Sequence, residues 1–240
     1  STRDNLPSQR LGASVPVNKC HTPSPRGVVF AYIKGVEGTR SMSNKLSTNQ
    51  VYAKLKTTDF SKFDKPGRNK GGRGQLLETA LGVANSSDLT DLVDGEIKTF
   101  TLGQTIAVTQ VKHCLSDIID GTVEFEDSKV GQKLAQTIYV AFTKNNDYVN
   151  TKVVNEELDP QHYQELAEDY GYIAAQIKAA YATGSTLHTI TGPNNLLQIR
   201  TKASKNSTGN YTPLCYNGVE LKDKYMAFYL LADFGKQVVS

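Results

Sequence analysis

The stretch Asp88-Leu-Thr-Asp91-Leu-Val-Asp94-Gly-Glu96-Ile-Lys98-Thr99 decides how the chain is read. Within it Asp91, Glu96 and Lys98 form D-x4-E-x-K, three charged groups that converge if the segment turns and continues as a strand. Successive side chains of a strand point to opposite faces, so Glu96 and Lys98 share one face while Ile97 turns into the core. The result is a one-sided polar site on an apolar support. Two carboxylates meeting at one point repel, and one pKa rises unless a cation sits between them. A divalent ion such as Mg2+ supplies that cation through oxygen ligands and keeps several of its waters. Lys98 beside it would hold or deprotonate an attacking water, or neutralise charge building on a phosphate. This combination suits metal-assisted hydrolysis of a phosphodiester. The competing reading is a solvated strand face with an ordinary ion pair. A calcium loop does not fit, because the acids at 88, 91 and 94 are spaced by three rather than two.

At 240 residues the chain is long enough for one large α/β domain or two small ones, with a substantial core. Its composition is that of an ordinary globular protein, which excludes disordered and fibrous classes. The formal charge is only +3, but local charge is more telling. Five basic residues, Lys62, Lys65, Arg68, Lys70 and Arg73, stand against one acid, Asp64, and three more, Arg200, Lys202 and Lys205, stand against none. Basic clusters are often solvated loops, and they are also what a phosphate backbone requires. Cys20, Cys114 and Cys215 are odd in number and lack metal-site spacing, so a reduced, cytoplasmic setting is expected. No apolar run approaches a membrane span and no signal pattern opens the chain, so no membrane partner is expected.

The first 27 or so residues read as an extended arm, followed by a strand at 28–33 and a helix between 44 and 56. From Lys70 a glycine-rich start leads into a helix carrying Leu76, Leu77, Ala80 and Leu81 that stops at Gly82. A nucleotide-binding phosphate loop is excluded there, because G-x4-G-K-[ST] is absent. Glu78 lies among the apolar residues of this helix and needs a partner. After Lys98 the chain is expected to form two consecutive strands of one sheet, at 99–102 and 105–111. A helical turn from Ser128 precedes the buried strand 137–143, and Asp159-Pro160 opens a long helix that Gly184 ends. Its tyrosines, Tyr163, Tyr170, Tyr172 and Tyr181, read as packing groups rather than base-stacking ones. Arg200 and Lys202 lie two apart on a strand and emerge on one face, and a last strand carries Tyr229.

These pieces form ordered blocks: Lys70-Gly-x-x-Gly-x-Leu-Leu-Glu78-x-x-Leu-Gly82, Asp91 with Glu96-Ile-Lys98-Thr, Ser128-x-Val-x-x-Lys133-Leu, Leu197-Gln-Ile-Arg200-x-Lys202-Ala, and Ala227-Phe-Tyr229-Leu. Over roughly residues 68–235 the chain resembles the MutH-like branch of the PD-(D/E)XK endonucleases, which includes a mismatch-repair endonuclease and related type II restriction enzymes. The resemblance implies an α/β, restriction-endonuclease-like fold, a mixed sheet flanked by helices, spanning 61–240, with 1–60 as an N-terminal arm and extension. It implies Mg2+-dependent cleavage of double-stranded DNA leaving 5'-phosphates, with a cognate DNA methyltransferase as functional counterpart.

By position, the resemblance makes Asp91, Glu96 and the Ile97 carbonyl metal ligands, Lys98 the catalytic lysine and Glu78 an additional active-site acid. Lys70, Lys133, Arg200, Lys202 and Tyr229 fall where the family approaches DNA. Thr90 stands where the motif name has proline, and Asp94 competes with Asp91 as the ligand. The gap between Asp91 and Glu96 is two residues shorter than in MutH itself and looks like that of related restriction enzymes that cut as monomers. The expectation is therefore a type II restriction endonuclease. A MutH-like nicking enzyme and a catalytically inactive DNA-binding module are the alternatives.

Overall fold

A computed structural model describes residues 45–63, 72–83, 88–121, 124–202 and 205–239. Lys70, Cys20 and the strand expected at 28–33 lie outside the described residues.

The first described helix, α1 (Thr48–Leu55), opens with a capping box in which Ser47 and Gln50 satisfy one another's backbone N–H groups. It buries Val51 and Leu55. The next helix, α2 (Gly72–Leu81), buries Leu77 and Leu81. Gly82 ends it at φ +74°, a conformation that only glycine adopts without strain. Two strands follow, β1 (Glu96–Thr101) and β2 (Ile106–Gln110), and then two short helices, α3 (Leu115–Asp120) and α4 (Lys129–Leu134). The Ser128 hydroxyl accepts from the Gly131 N–H and so caps α4. Next come β3 (Gln136–Phe142), β4 (Tyr148–Asn155) and the 24-residue helix α5 (Pro160–Thr183), capped by Asp159 and stopped by Gly184 at φ +66°. The chain closes with β5 (Ile190–Thr191), β6 (Leu197–Thr201), β7 (Leu214–Tyr216), β8 (Val219–Lys222), β9 (Met226–Leu230) and α6 (Ala232–Val239).

The fold is mixed α/β. Strands β1, β3 and β4 form one sheet, in which β1 runs parallel and β4 antiparallel to the central β3. A second, antiparallel sheet has the order β2-β9-β6-β5, and β7 pairs with β8 as a separate ribbon. The expectation that β1 and β2 continue one sheet is therefore corrected: the turn at Gly103 sends β1 to β3 and β2 to β9. Both strands satisfy their local preferences either way, and the choice of partner is made by distant residues.

Strand β3 separates two cores. Ile138, Val140 and Phe142 join Val51, Leu55, Leu77, Leu81, Leu92 and Ile97 in the smaller one. Tyr139 and Ala141, on the opposite face, join the larger core with Phe100 of β1, Ile173 and Ile177 of α5, and Phe228 of β9. Burial on both faces explains why 137–143 reads as an unbroken apolar run. Helix α1 belongs to the smaller core although it lies within the segment read as an N-terminal extension. Tyr163 and Tyr170 are buried in the larger core and Tyr181 packs against it, while Tyr172 is exposed. Cys114 is a free, buried thiol. Among the described residues no helix is long and apolar enough to cross a membrane.

One buried carboxylate ties α5 to the second sheet. Asp169, fully buried, accepts from the Asn194 N–H at 2.7 Å and from the Leu196 and Leu197 N–H groups at 2.8 Å each. A Cβ at Gly192 would collide with the Asp169 carboxylate, so this approach requires glycine. Replacing Asp169 by Ala leaves three buried donors without an acceptor and is expected to lower stability by about 3–5 kcal/mol. Urea unfolding of the variant beside the wild type measures this directly.

Candidate active site

The hairpin before β1 is pinned from outside. Asp94 accepts from the Thr48 N–H at 2.7 Å and the Thr48 hydroxyl at 2.9 Å, so it closes the N-terminus of α1. A Cβ at Gly95 would lie 2.6 Å from the Gln136 carbonyl oxygen and 2.8 Å from Thr48 Oγ1. Only glycine lets the turn pass between α1 and the start of β3, and β1 then begins at Glu96. Asp94 is thereby committed to the helix terminus, and Asp91 remains as the acid that faces Glu96.

Glu96 is 1% exposed and is the centre of the cluster. Its Oε2 accepts from the Asp91 N–H at 3.1 Å, and its Oε1 accepts from Lys98 Nζ and from Lys133 Nζ, the latter at 3.0 Å. Asp91 turns back on the strand, its Oδ2 accepting from the Ile97 N–H at 3.5 Å. Lys98 comes from the same face of β1, as strand alternation requires, and Ile97 is buried in the smaller core. Lys133 comes from the last turn of α4, so the residue expected near DNA stands among the acids.

Glu78 completes the group from α2. It is half-buried, and burial together with the Asp91 and Glu96 charges pushes its carboxyl above the usual range, against the pull of Lys98. Burial and Glu96 push Asp91 up in the same way, against Lys98 and Lys133. The residues read as one site from separate blocks of sequence are therefore electrostatic neighbours.

A cleft of about 840 Å³ runs from this cluster along the end of β1 to the second sheet. Glu78, Ile97 and Lys98 line it together with Arg200, Lys202 and Tyr229. Residues of the β1–β2 connection, Gln104 and Thr105, line it as well. Arg200 is held there by a 2.6 Å bond to Thr105 Oγ1 and by stacking 4.3 Å over the Tyr229 ring. Tyr229 is 9% exposed, a packed platform for Arg200. Arg73 and Lys144 also line the cleft. Sequence reading counted Arg73 only within a basic run and passed over Lys144, since neither position carries a local signal of its place.

The acids gathered here, Asp91, Glu96 and Glu78, offer hard carboxylate oxygens, the ligand type Mg2+ takes. Burial and Glu96 hold Asp91 above its usual range, and burial with Asp91 and Glu96 does the same to Glu78, the condition a bound cation relieves. Among the described residues no group of three or more His, Cys, Asp or Glu side chains is placed to hold a metal ion. An ion here would therefore have fewer than three of these side chains as ligands and would keep several waters, as Mg2+ does.

A carboxyl raised in the folded state favours folding while it is protonated, and that contribution is lost as pH rises through the folded value. Glu78→Gln is therefore expected to raise the melting temperature of the metal-free protein at neutral pH. The gain should shrink as pH falls below the ordinary carboxylate range, where the wild-type group is protonated in both states. Thermal melts across pH in EDTA check the sign. No family model matches the chain, and a search of curated proteins finds no significant match.

Proposed function

We propose that the protein is a Mg2+-dependent, sequence-specific endonuclease of double-stranded DNA, a type II restriction endonuclease of the MutH-like PD-(D/E)XK kind. The supporting observation is one cleft whose lining brings Glu78 and Lys98 together with Arg200 and Lys202. A cleft in which Arg73, Lys98, Lys144, Arg200 and Lys202 outnumber the single lining acid, Glu78, suits a polyanionic backbone presented to a hydrolytic centre.

In this reading Asp91, Glu96 and the Ile97 carbonyl hold the ion, which when bound polarises the phosphate and lowers the pKa of its water. Lys98 places a positive charge where negative charge develops on the phosphate. Glu78, with its raised carboxyl, is placed to accept or give a proton at the cleft. Lys133 steadies Glu96 through its Oε1. Arg200, fixed by Thr105 and Tyr229, presents a preorganised guanidinium to a guanine edge or a phosphate, and Lys202 adds a point charge beside it. A monomer of this kind cuts the two strands in turn, and a methyltransferase of the same specificity would protect the host.

The purified protein, incubated with unmethylated plasmid in Mg2+ and in EDTA, is expected to give discrete double-strand fragments with 5'-phosphate ends in Mg2+ alone. Nicked circles as the sole product would favour the mismatch-repair type of activity, and tight binding without cutting would favour an inactive module. Lys98→Ala is expected to lower the cleavage rate by about 10²-fold or more while specific binding in EDTA stays within about threefold. Cutting at the normal rate would remove Lys98 from the site. Arg200→Ala should weaken specific binding by about 1–3 kcal/mol, as a titration with the mapped site would show.

A further inference from the structure

Arg73, the second residue of α2, is 7% exposed and lines the cleft. Its guanidinium lies 4.5 Å over the Phe142 ring, and one terminal nitrogen donates to Thr101 Oγ1 at 3.2 Å. Its Nε is buried with no hydrogen-bond partner. Among the described residues no carboxylate pairs with it. Burial works against its charged form.

A guanidinium with over nine-tenths of its surface buried is retained where an anion completes it, because an unpaired buried charge is costly. The ring below and the hydroxyl beside it fix the plane of the fork, and planar forks match phosphate oxygens. Thr99, Thr101, Gln104 and Lys144, which line the same cleft, can all donate, and Glu78 is the one acid in its lining. Nothing in this arrangement recognises a base, since a half-satisfied guanidinium set deep in the wall reaches only what the strand pushes into it.

We propose that Arg73 is a phosphate clamp, holding a backbone phosphate of the DNA strand in the cleft that Arg200 and Lys202 also line. This rests on the nuclease reading and adds to it a strand-positioning residue outside the five sequence blocks' charged positions. The contact is sequence-independent, so it sets register and affinity rather than specificity.

The test uses the full chain in EDTA with a duplex carrying the mapped cut site, comparing wild type with Arg73→Met across salt concentrations. The expected result is binding weaker by about tenfold or more. The slope of log affinity against log salt should fall in magnitude by about 0.9, the loss of one phosphate contact. The free variant should melt no lower than wild type, since an incompletely paired cation has been replaced by an apolar side chain of similar length. Unchanged affinity and slope would overturn the clamp, as would inorganic phosphate alone stabilising the wild type as much as the duplex does. If Arg73→Met does not fold, Arg73→Lys keeps the charge without the fork. It is expected to bind about threefold or more weakly with the slope retained, and wild-type affinity in that variant overturns the proposal. A wild-type protein that neither binds nor cuts duplex would instead refute the nuclease reading itself.

Discussion

The buried carboxylate of Glu96 is the constraint on which the rest depends. A carboxylate at 1% exposure is tolerable only with charge-assisted partners, and here two ammonium groups and a backbone N–H supply them. Removing one partner from a buried pair typically costs about 3–5 kcal/mol, so the cluster binds β1, α4 and the preceding hairpin together. The same contacts aim it. Lys98 and Lys133 meet on Oε1, while Oε2 faces the Asp91 backbone, so one acid is oriented before any ligand arrives.

That orientation relies on the two sheets parting. If β2 had continued the sheet of β1, the end of β1 would be covered by its neighbour and no cleft would lie over Lys98. Because Gly103 turns the chain away and β2 pairs with β9, residues of both sheets line one cleft, to which β6 and β9 bring Arg200 and Tyr229. The lining cations and the acids therefore draw on both cores. The smaller core positions Ile97 and Glu78's helix, and the larger one positions the strand carrying Arg200.

The legible parts of the sequence were those whose chemistry is local. Ser128 and Asp159 caps, the Gly82 and Gly184 stops and the doubly buried run of β3 each announce themselves within a few residues. So did the shared face of Glu96 and Lys98. What stayed hidden is set by docking. The sheet change after Gly103 depends on β9, more than a hundred residues away. Asp94 competes with Asp91 as a ligand until α1 docks its N-terminus on it, and the bond from Lys133 to Glu96 depends on where α4 packs. Tyr229 shows the same limit, since only the stack with Arg200 makes it a platform.

The energetics of the two ends of the cleft differ in kind. At the acidic end burial and neighbouring carboxylates push Glu78 and Asp91 up while lysines pull them down, so the free protein already carries a compensated but crowded cluster. Along the basic wall the cations stack on Tyr229 and Phe142 rather than pairing with acids, which keeps them oriented without consuming their charge. Aromatic support is weaker than an ion pair, and for that reason it leaves a cation available to a phosphate. Phe142 shows the consequence: its ring belongs to the smaller core and also carries Arg73, so the orientation of that cation depends on the packing of the core.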